Sequence, residues 1–146
     1  MITKKNLFTN DYVDLLSPET FEFLNLLIGQ LGYNREDYND PEVKKEVLNL
    51  IKIILDLDII TVHKWMDDLT LLSEHMTTDE IVKKIDRLWM KSIEYPDFYK
   101  IALFGPKDWY KNKLEKMGFT PTTNWKTFVA TKIGDLEKWI EYNRPK

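Results

Sequence analysis

The sequence predicts an α+β fold that is dominated by helices and has a small sheet of short strands. Helix-start signals precede several segments in which apolar residues recur every three or four positions. Short runs of β-branched and aromatic residues stand between those segments. No linker rich in Gly, Ser or Pro interrupts the 146 residues, which suffice for one core. We therefore expect a single domain over residues 1–146.

The first two predicted helices each begin at a proline that follows a capping side chain. Ser17-Pro18 opens a helix that Gly32 ends. Asp40-Pro41 opens the next helix, which should run to about residue 56. Their apolar faces comprise Phe21, Leu24, Leu27, Ile28 and Leu31 in the first, and Val43, Val47, Leu50, Ile51, Ile54 and Leu55 in the second.

A short strand and a capped helix are predicted next. The β-branched residues from Ile59 onward indicate a strand that ends near Trp65. Residues 66–76 have weak periodicity and are predicted to form a loop or a short turn of helix. Thr77 and Glu80 form a capping-box pattern, which starts a helix that should end before Pro96.

The last third mixes strand and helix signals. Residues 98–104 suit a strand that is broken by Gly105-Pro106, and Pro106 should open a helix that ends at Gly118. Residues 125–131 are rich in β-formers, and Asp135 caps a final helix. Most of the five tryptophans should be core residues, with Trp125 the nearest to the surface.

The charge is distributed unevenly along the chain. Residues 1–99 carry 11 Lys/Arg against 19 Asp/Glu, a balance of −8, whereas residues 100–146 carry 10 against 5, a balance of +5. Such asymmetry indicates either two parts that face each other or two surfaces for different partners. Because no linker separates the parts, we expect two faces of one domain, with an acidic face contributed largely by residues 1–99.

Several function classes are excluded or disfavoured by composition and motifs. The chain has no cysteine, which rules out disulfides and a Cys nucleophile and suits a cytoplasmic location; the N-terminus does not resemble a signal peptide. No catalytic motif or Gly-rich phosphate loop is present, so we expect neither an enzyme nor a cofactor. His63 and His75 lie near Asp67, Asp68 and Glu74, but their spacing matches no helical ligand pattern, so no metal site is predicted.

A basic segment with two aromatic residues admits two interpretations. Lys107 and Lys111 lie one helical turn apart, so they could contact phosphate while Trp109 stacks on a base. Alternatively, Trp109, Tyr110, Leu114 and Met117 form the apolar face of a helix and the lysines face water. The second interpretation is favoured.

A helix, a short strand and a capped helix follow one another over residues 41–92. The pattern is carried by Leu48-Asn49-Leu50-Ile51-Lys52-Ile53-Ile54-Leu55, Ile59-Ile60-Thr61-Val62 and Thr78-Asp79-Glu80-Ile81-Val82-Lys83-Lys84-Ile85 to Trp89. It resembles small bacterial proteins, some of which look like immunity partners encoded beside polymorphic toxins. That resemblance implies a non-catalytic module that binds a protein and neutralises it.

The two function hypotheses use different surfaces. For toxin binding, the partner-binding residues are predicted to be Asp67, Asp68, Glu74 and Asp79, because immunity proteins to nucleases are commonly acidic and opposite fields speed association. The alternative is a winged-helix-like regulator, in which the basic C-terminal third would contact nucleic acid. The predicted helix 41–56 offers little beyond Asn49 for reading base edges, which disfavours that alternative. Neither hypothesis involves a membrane.

Overall fold

The structure, a computed structural model, describes residues 2–19, 24–90 and 101–146. It confirms a helix-dominated α+β fold with a small antiparallel sheet. The helices are α1 (Lys4–Leu7), α2 (Leu24–Gln30), α3 (Pro41–Asp56), α4 (Thr78–Leu88), α5 (Asp108–Lys116), α6 (Trp125–Phe128) and α7 (Leu136–Asn143). The strands are β1 (Ile60–Trp65) and β2 (Ala102–Pro106). Short 3₁₀ turns cover Val13–Leu16, Arg35–Asn39 and Ser73–His75, and a π-helical turn covers Val129–Ile133.

Helix α3 supplies a large part of the core. The Asp40 side chain accepts a hydrogen bond from the Glu42 N–H at 2.9 Å, and Pro41 occupies the first helical position, as predicted. All six residues of its predicted apolar face are buried. Helix α4 packs against α3, and Lys44 links the two helices by an ion pair to Asp86 at 2.8 Å.

Two glycines end helices by adopting a left-handed backbone. Gly32 follows α2 with φ 89°, and Gly118 follows α5 with φ 98°, a conformation that costs glycine little. Both predicted stops are confirmed. Helix α2 is described from Leu24 onward, and Phe21, which was predicted to share its apolar face, lies outside the described residues.

The two strands pair antiparallel, with Ile60 opposite Pro106 and Trp65 opposite Ala102. The register shifts between Val62 and Lys64, so that His63 stands at a bulge. Ile60 and Val62 are buried in the core, whereas His63 is exposed. The sheet therefore has one core face and one face that is accessible to solvent.

The strand and helix that were predicted to meet at Pro106 have different boundaries. Strand β2 continues through Gly105 to Pro106, because both strands of a two-stranded sheet are edge strands, where a proline is tolerated. The Lys107 N–H then closes the ladder on the Ile59 carbonyl at 2.8 Å, and α5 begins at Asp108. Residues 98–100 of the predicted strand lie outside the described part of the chain.

The expectation of strand character over residues 125–131 is wrong. The Asn124 side chain caps a helix by accepting the Thr127 N–H at 3.0 Å, and Trp125 and Phe128 are buried one turn apart. Burial on one helical face outweighs β-propensity here. The placement of Trp125 nearest to the surface is also wrong, since it is 5% exposed.

The first and last segments of the chain pack together through aromatic side chains. The Trp125 indole N–H donates to the Val13 carbonyl at 2.8 Å, and the Tyr110 hydroxyl donates to the Leu16 carbonyl at 2.5 Å. Both aromatic groups belong to a cluster of edge-on and stacked rings, which comprises Trp109, Tyr110, Phe119, Trp125, Phe128 and Trp139. The N-terminal segment thereby shares a core with the C-terminal helices.

Candidate interaction surface

The four acidic residues that were predicted to bind a partner lie between β1 and the first turn of α4. We call residues 66–79 the acidic loop. Asp67, Asp68, Glu74 and Asp79 are all exposed. From residue 65 to residue 82 the chain has five Asp/Glu and no Lys or Arg, so the local sequence is uniformly acidic. The fold brings lysines from elsewhere toward two of these carboxylates.

Asp67 and Asp79 have lysine partners within the chain. The Lys84 ammonium lies 3.0 Å from the Asp67 carboxylate, and the Lys52 ammonium lies 3.7 Å from that of Asp79. The Lys52–Asp79 pair is exposed and contributes little to stability, whereas the Lys84 side chain of the other pair is largely buried. Both pairs reduce the negative potential that these two carboxylates present to solvent, because each has a cation beside it.

Asp68 and Glu74 contact neighbouring residues of the acidic loop itself. Asp68 accepts hydrogen bonds from the Thr70 hydroxyl at 2.7 Å and the Thr70 N–H at 3.1 Å. The hydrogen bonds from the Thr70 hydroxyl and N–H lower the pKa of Asp68 below its ordinary value, and the charge of Lys84 lowers it further. Glu74 lies 3.8 Å from His75, and both side chains are largely exposed.

The acidic loop also exposes large apolar side chains, which the sequence reasoning did not single out. Met66, Leu69 and Leu72 are 41%, 67% and 56% exposed. The signal was present in the sequence, because apolar residues without helical or strand periodicity stand there among acids. Exposed apolar side chains near charged ones are typical of protein-binding surfaces.

The base of the acidic loop is fixed to the sheet. The buried Ser73 hydroxyl donates to the Val62 carbonyl at 2.5 Å and lies 3.0 Å from the Thr61 hydroxyl. The Met66 N–H continues the strand pairing to the Ile101 carbonyl at 3.2 Å. These contacts hold the loop in place before any partner arrives, which lowers the entropic cost of binding.

A groove of about 510 Å³ opens beside the acidic loop. Thr61 and His63 of β1 line it, together with residues 72–74 and Met76 on one side and residues 106–109 on the other. His63 lies across the sheet on Gly105, where a Cβ atom would overlap the imidazole. The absence of a Cβ at Gly105 therefore leaves room for the His63 imidazole in this position.

The residues proposed for nucleic-acid contact are mostly engaged within the fold. Lys107 forms an ion pair with Asp58, and the Trp109 indole N–H donates to the Asp58 carbonyl at 2.6 Å. Trp109 also stacks on Trp139, with ring centroids 6.2 Å apart. Lys111 is exposed on α5. This arrangement favours the interpretation of α5 as a packed helix with a solvated lysine face.

Asn49, the residue of α3 best suited to reading a base edge, is also engaged. Its side-chain amide donates to the Ile2 carbonyl at 3.1 Å.

Within residues 2–19, 24–90 and 101–146, no three His, Asp or Glu side chains converge as a metal site. Of the helices that the structure describes, none combines the length and the apolar character needed to span a bilayer.

Comparisons with protein-family models, with curated proteins and with solved structures find no match to this chain. The function proposed below therefore rests on the chemistry of the acidic loop and the groove.

Proposed function

We propose that this chain is a non-catalytic protein-binding module that neutralises a basic protein, as an immunity protein neutralises a bacterial toxin. The observation that carries the proposal is the acidic loop, where Met66, Leu69 and Leu72 are exposed among carboxylates. Apolar side chains release water on binding, and the surrounding charges select and orient the partner. The same function is what the resemblance of residues 41–92 to immunity proteins implies.

The charge of the loop indicates which partner it suits. Asp67 and Asp79 each form an ion pair with a lysine. The nearest contacts of Asp68 and Glu74 given above are instead to Thr70 and His75. A toxin with a basic substrate cleft supplies the complementary field, and such complementarity raises the association rate more than the affinity. A cytoplasmic location belongs to this proposal, because a chain without cysteine suits a reducing compartment.

The proposal is tested by affinity capture from the native host with matched variants. The apolar variant is Met66→Ser with Leu69→Ser, and the charge variant is Glu74→Lys. The expected result is a basic protein that wild type retains, that the apolar variant loses, and that inhibits growth when it is expressed without this chain. Surface plasmon resonance should show that Glu74→Lys lowers the association rate and weakens its dependence on salt.

Two control variants change exposed residues outside the acidic loop. Tyr142→Ser removes an aromatic ring that is 85% exposed, and Glu115→Lys reverses an exposed charge on α5. Both should retain the captured protein at the wild-type level. Equal retention by the loop variants and the controls would contradict the proposal, as would a captured protein whose toxicity this chain does not relieve.

A further inference from the structure

The groove beside the acidic loop has a mixed lining that suits one kind of side chain. Glu74 stands on the loop side, and Asp108 stands on the opposite side, at the start of α5. Leu72, Met76 and Trp109 contribute apolar surface to the same lining. A ligand complementary to this lining combines a positive charge with an apolar stem.

The formal charge of the groove is negative. Lys107 also lines it, but its ammonium is ion-paired with Asp58, which does not line the groove. With Lys107 matched in this way, Glu74 and Asp108 remain as two carboxylates without a lysine or arginine from the lining. A cation from outside is complementary to them.

We propose that the groove binds an arginine side chain presented by the protein partner, with its guanidinium between Glu74 and Asp108. This inference rests on the proposed function and names the anchor that the partner contributes. The aliphatic stem of arginine packs on the walls formed by Leu72 and Met76. The planar guanidinium stacks on an aromatic ring more readily than an ammonium does, and Trp109 supplies that ring.

Arginine fits this lining better than lysine for a geometric reason. A guanidinium offers five N–H donors in a fixed plane, so it can bond two carboxylates from different sides at once. A lysine ammonium is a strongly hydrated point charge, and its removal from water costs more for the same contacts. The groove should accordingly discriminate between the two cations.

The inference is tested with isolated probes on the full chain. N-acetyl-L-arginine amide is titrated into ¹⁵N-labelled protein, and amide and indole shifts are followed by NMR. We expect saturable shifts at the Gly105 amide and the Trp109 indole N–H. N-acetyl-L-norleucine amide, which has the stem without the charge, should give no saturable shift, and N-acetyl-L-lysine amide should bind more weakly than the arginine probe.

Variants of both carboxylates locate the binding site. Glu74→Gln and Asp108→Asn should each weaken binding of the arginine probe by about two- to fivefold, the range for a partly exposed charge pair. Glu115→Gln removes an exposed carboxylate from the same helix as Asp108 but lies outside the groove, so it should leave binding unchanged. Well-dispersed spectra verify that each variant is folded.

Three results would overturn the arginine anchor. They are the absence of saturable shifts, equal binding of the norleucine probe, and equal weakening by Glu115→Gln. The failure of this inference is distinguishable from that of the proposed function, because the probe titration and the capture experiment are separate measurements. If the arginine probe gives no saturable shifts while Met66→Ser with Leu69→Ser still loses the captured partner, the protein-binding function is supported and the arginine anchor is wrong.

Discussion

Asp58 joins three elements through its backbone and its side chain. It is the one non-glycine residue with positive φ, 65°, in the part of the chain that the structure describes. This left-handed conformation ends α3 and turns the chain into β1, and Asp tolerates it better than most residues. Its carboxylate pairs with Lys107 and its carbonyl accepts the Trp109 indole N–H, so the turn also positions the start of α5.

Two substitutions separate the conformational role of Asp58 from its charge. Asp58→Asn keeps a residue that accepts the left-handed conformation and removes the ion pair, so it should lower the free energy of unfolding by less than about 1 kcal/mol. Asp58→Ala should lower it by about 1–2 kcal/mol more, the cost of a Cβ without local hydrogen bonds in this region. Urea denaturation measures both, and equal losses for the two variants would show that the backbone conformation is not the dominant cost.

Tyr110 should make the fold sensitive to alkaline pH. Burial raises the pKa of its hydroxyl well above the ordinary value of 10.0. The unfolded chain therefore loses this proton at a lower pH than the folded chain, and the stability that Tyr110 contributes is complete below pH 10 and falls as the pH rises further. Denaturant melts at a series of pH values above 9 should show this decline.

Tyr110→Phe is the matched variant for that pH dependence. It removes the hydroxyl that donates to the buried Leu16 carbonyl, so at neutral pH it should cost about 1–3 kcal/mol. Above pH 10 the difference between the variant and wild type should shrink, because phenylalanine has no proton to lose. A constant difference across the alkaline range would contradict the assignment.

At the scale of single elements, local capping signals predicted helix starts well. Asp40, Thr77 and Asp135 each accept a backbone N–H in the first turn of α3, α4 and α7. For α4 the interaction is reciprocal, since Glu80 also accepts the Thr77 N–H at 3.2 Å. These caps are decided within four residues of sequence.

Thr77→Ala should destabilise the protein by about 1 kcal/mol, the usual cost of losing an N-cap hydroxyl. Thr77→Ser keeps the hydroxyl that accepts the Glu80 N–H and should stay within a few tenths of a kcal/mol of wild type. Thermal unfolding followed by circular dichroism compares the three proteins. If the serine variant loses as much as the alanine variant, the hydroxyl is not the stabilising group.

Over the whole molecule, the uneven charge of the sequence is partly matched between segments that are distant along the chain. Lys107 pairs with Asp58, and Lys126 lies 3.5 Å from Asp14, so two cations of the basic end face carboxylates of the acidic part. The acidic loop is the region where exposed apolar residues accompany the acids. Of the acidic face predicted from residues 1–99, we therefore propose residues 66–79 as the surface that binds a partner.

The link between the chain's two ends is testable at Trp125. Trp125→Phe keeps an aromatic ring but leaves the Val13 carbonyl without its donor, which should cost about 1–3 kcal/mol. Hydrogen exchange should also accelerate in residues 9–17, which this bond holds to α6. Trp139→Phe keeps the bond to Val13 and should leave exchange in that segment close to wild type; equal acceleration would contradict the link.

The alternative of nucleic-acid binding has a direct test. We expect no mobility shift with double- or single-stranded DNA at low ionic strength, where phosphate contacts are strongest. The reason is that Lys107 is already paired with Asp58 and Trp109 is packed against Trp139. A shift that disappears in Lys111→Ala would instead support the basic alternative.

The sequence by itself determined the features that depend on neighbouring residues. Proline and capping side chains started α3 and α4, glycines ended α2 and α5, and the six apolar positions of α3 are buried as their spacing predicts. Each of these rests on hydrogen bonds or backbone sterics within about one helical turn. These helix starts, helix ends and buried positions could therefore be predicted from the sequence without the structure.

The tertiary structure decided what depends on residues far apart. Trp125 and Phe128 have strand propensity, yet they form a helix because the core formed with Val13–Leu16 buries both on one helical face. Lysines at positions 84 and 52 reach the predicted acids only in the folded chain, and the groove exists only where β1, the acidic loop and α5 meet. Burial and charge pairing between distant segments are not encoded in local spacing, so no pattern in the sequence could reveal them.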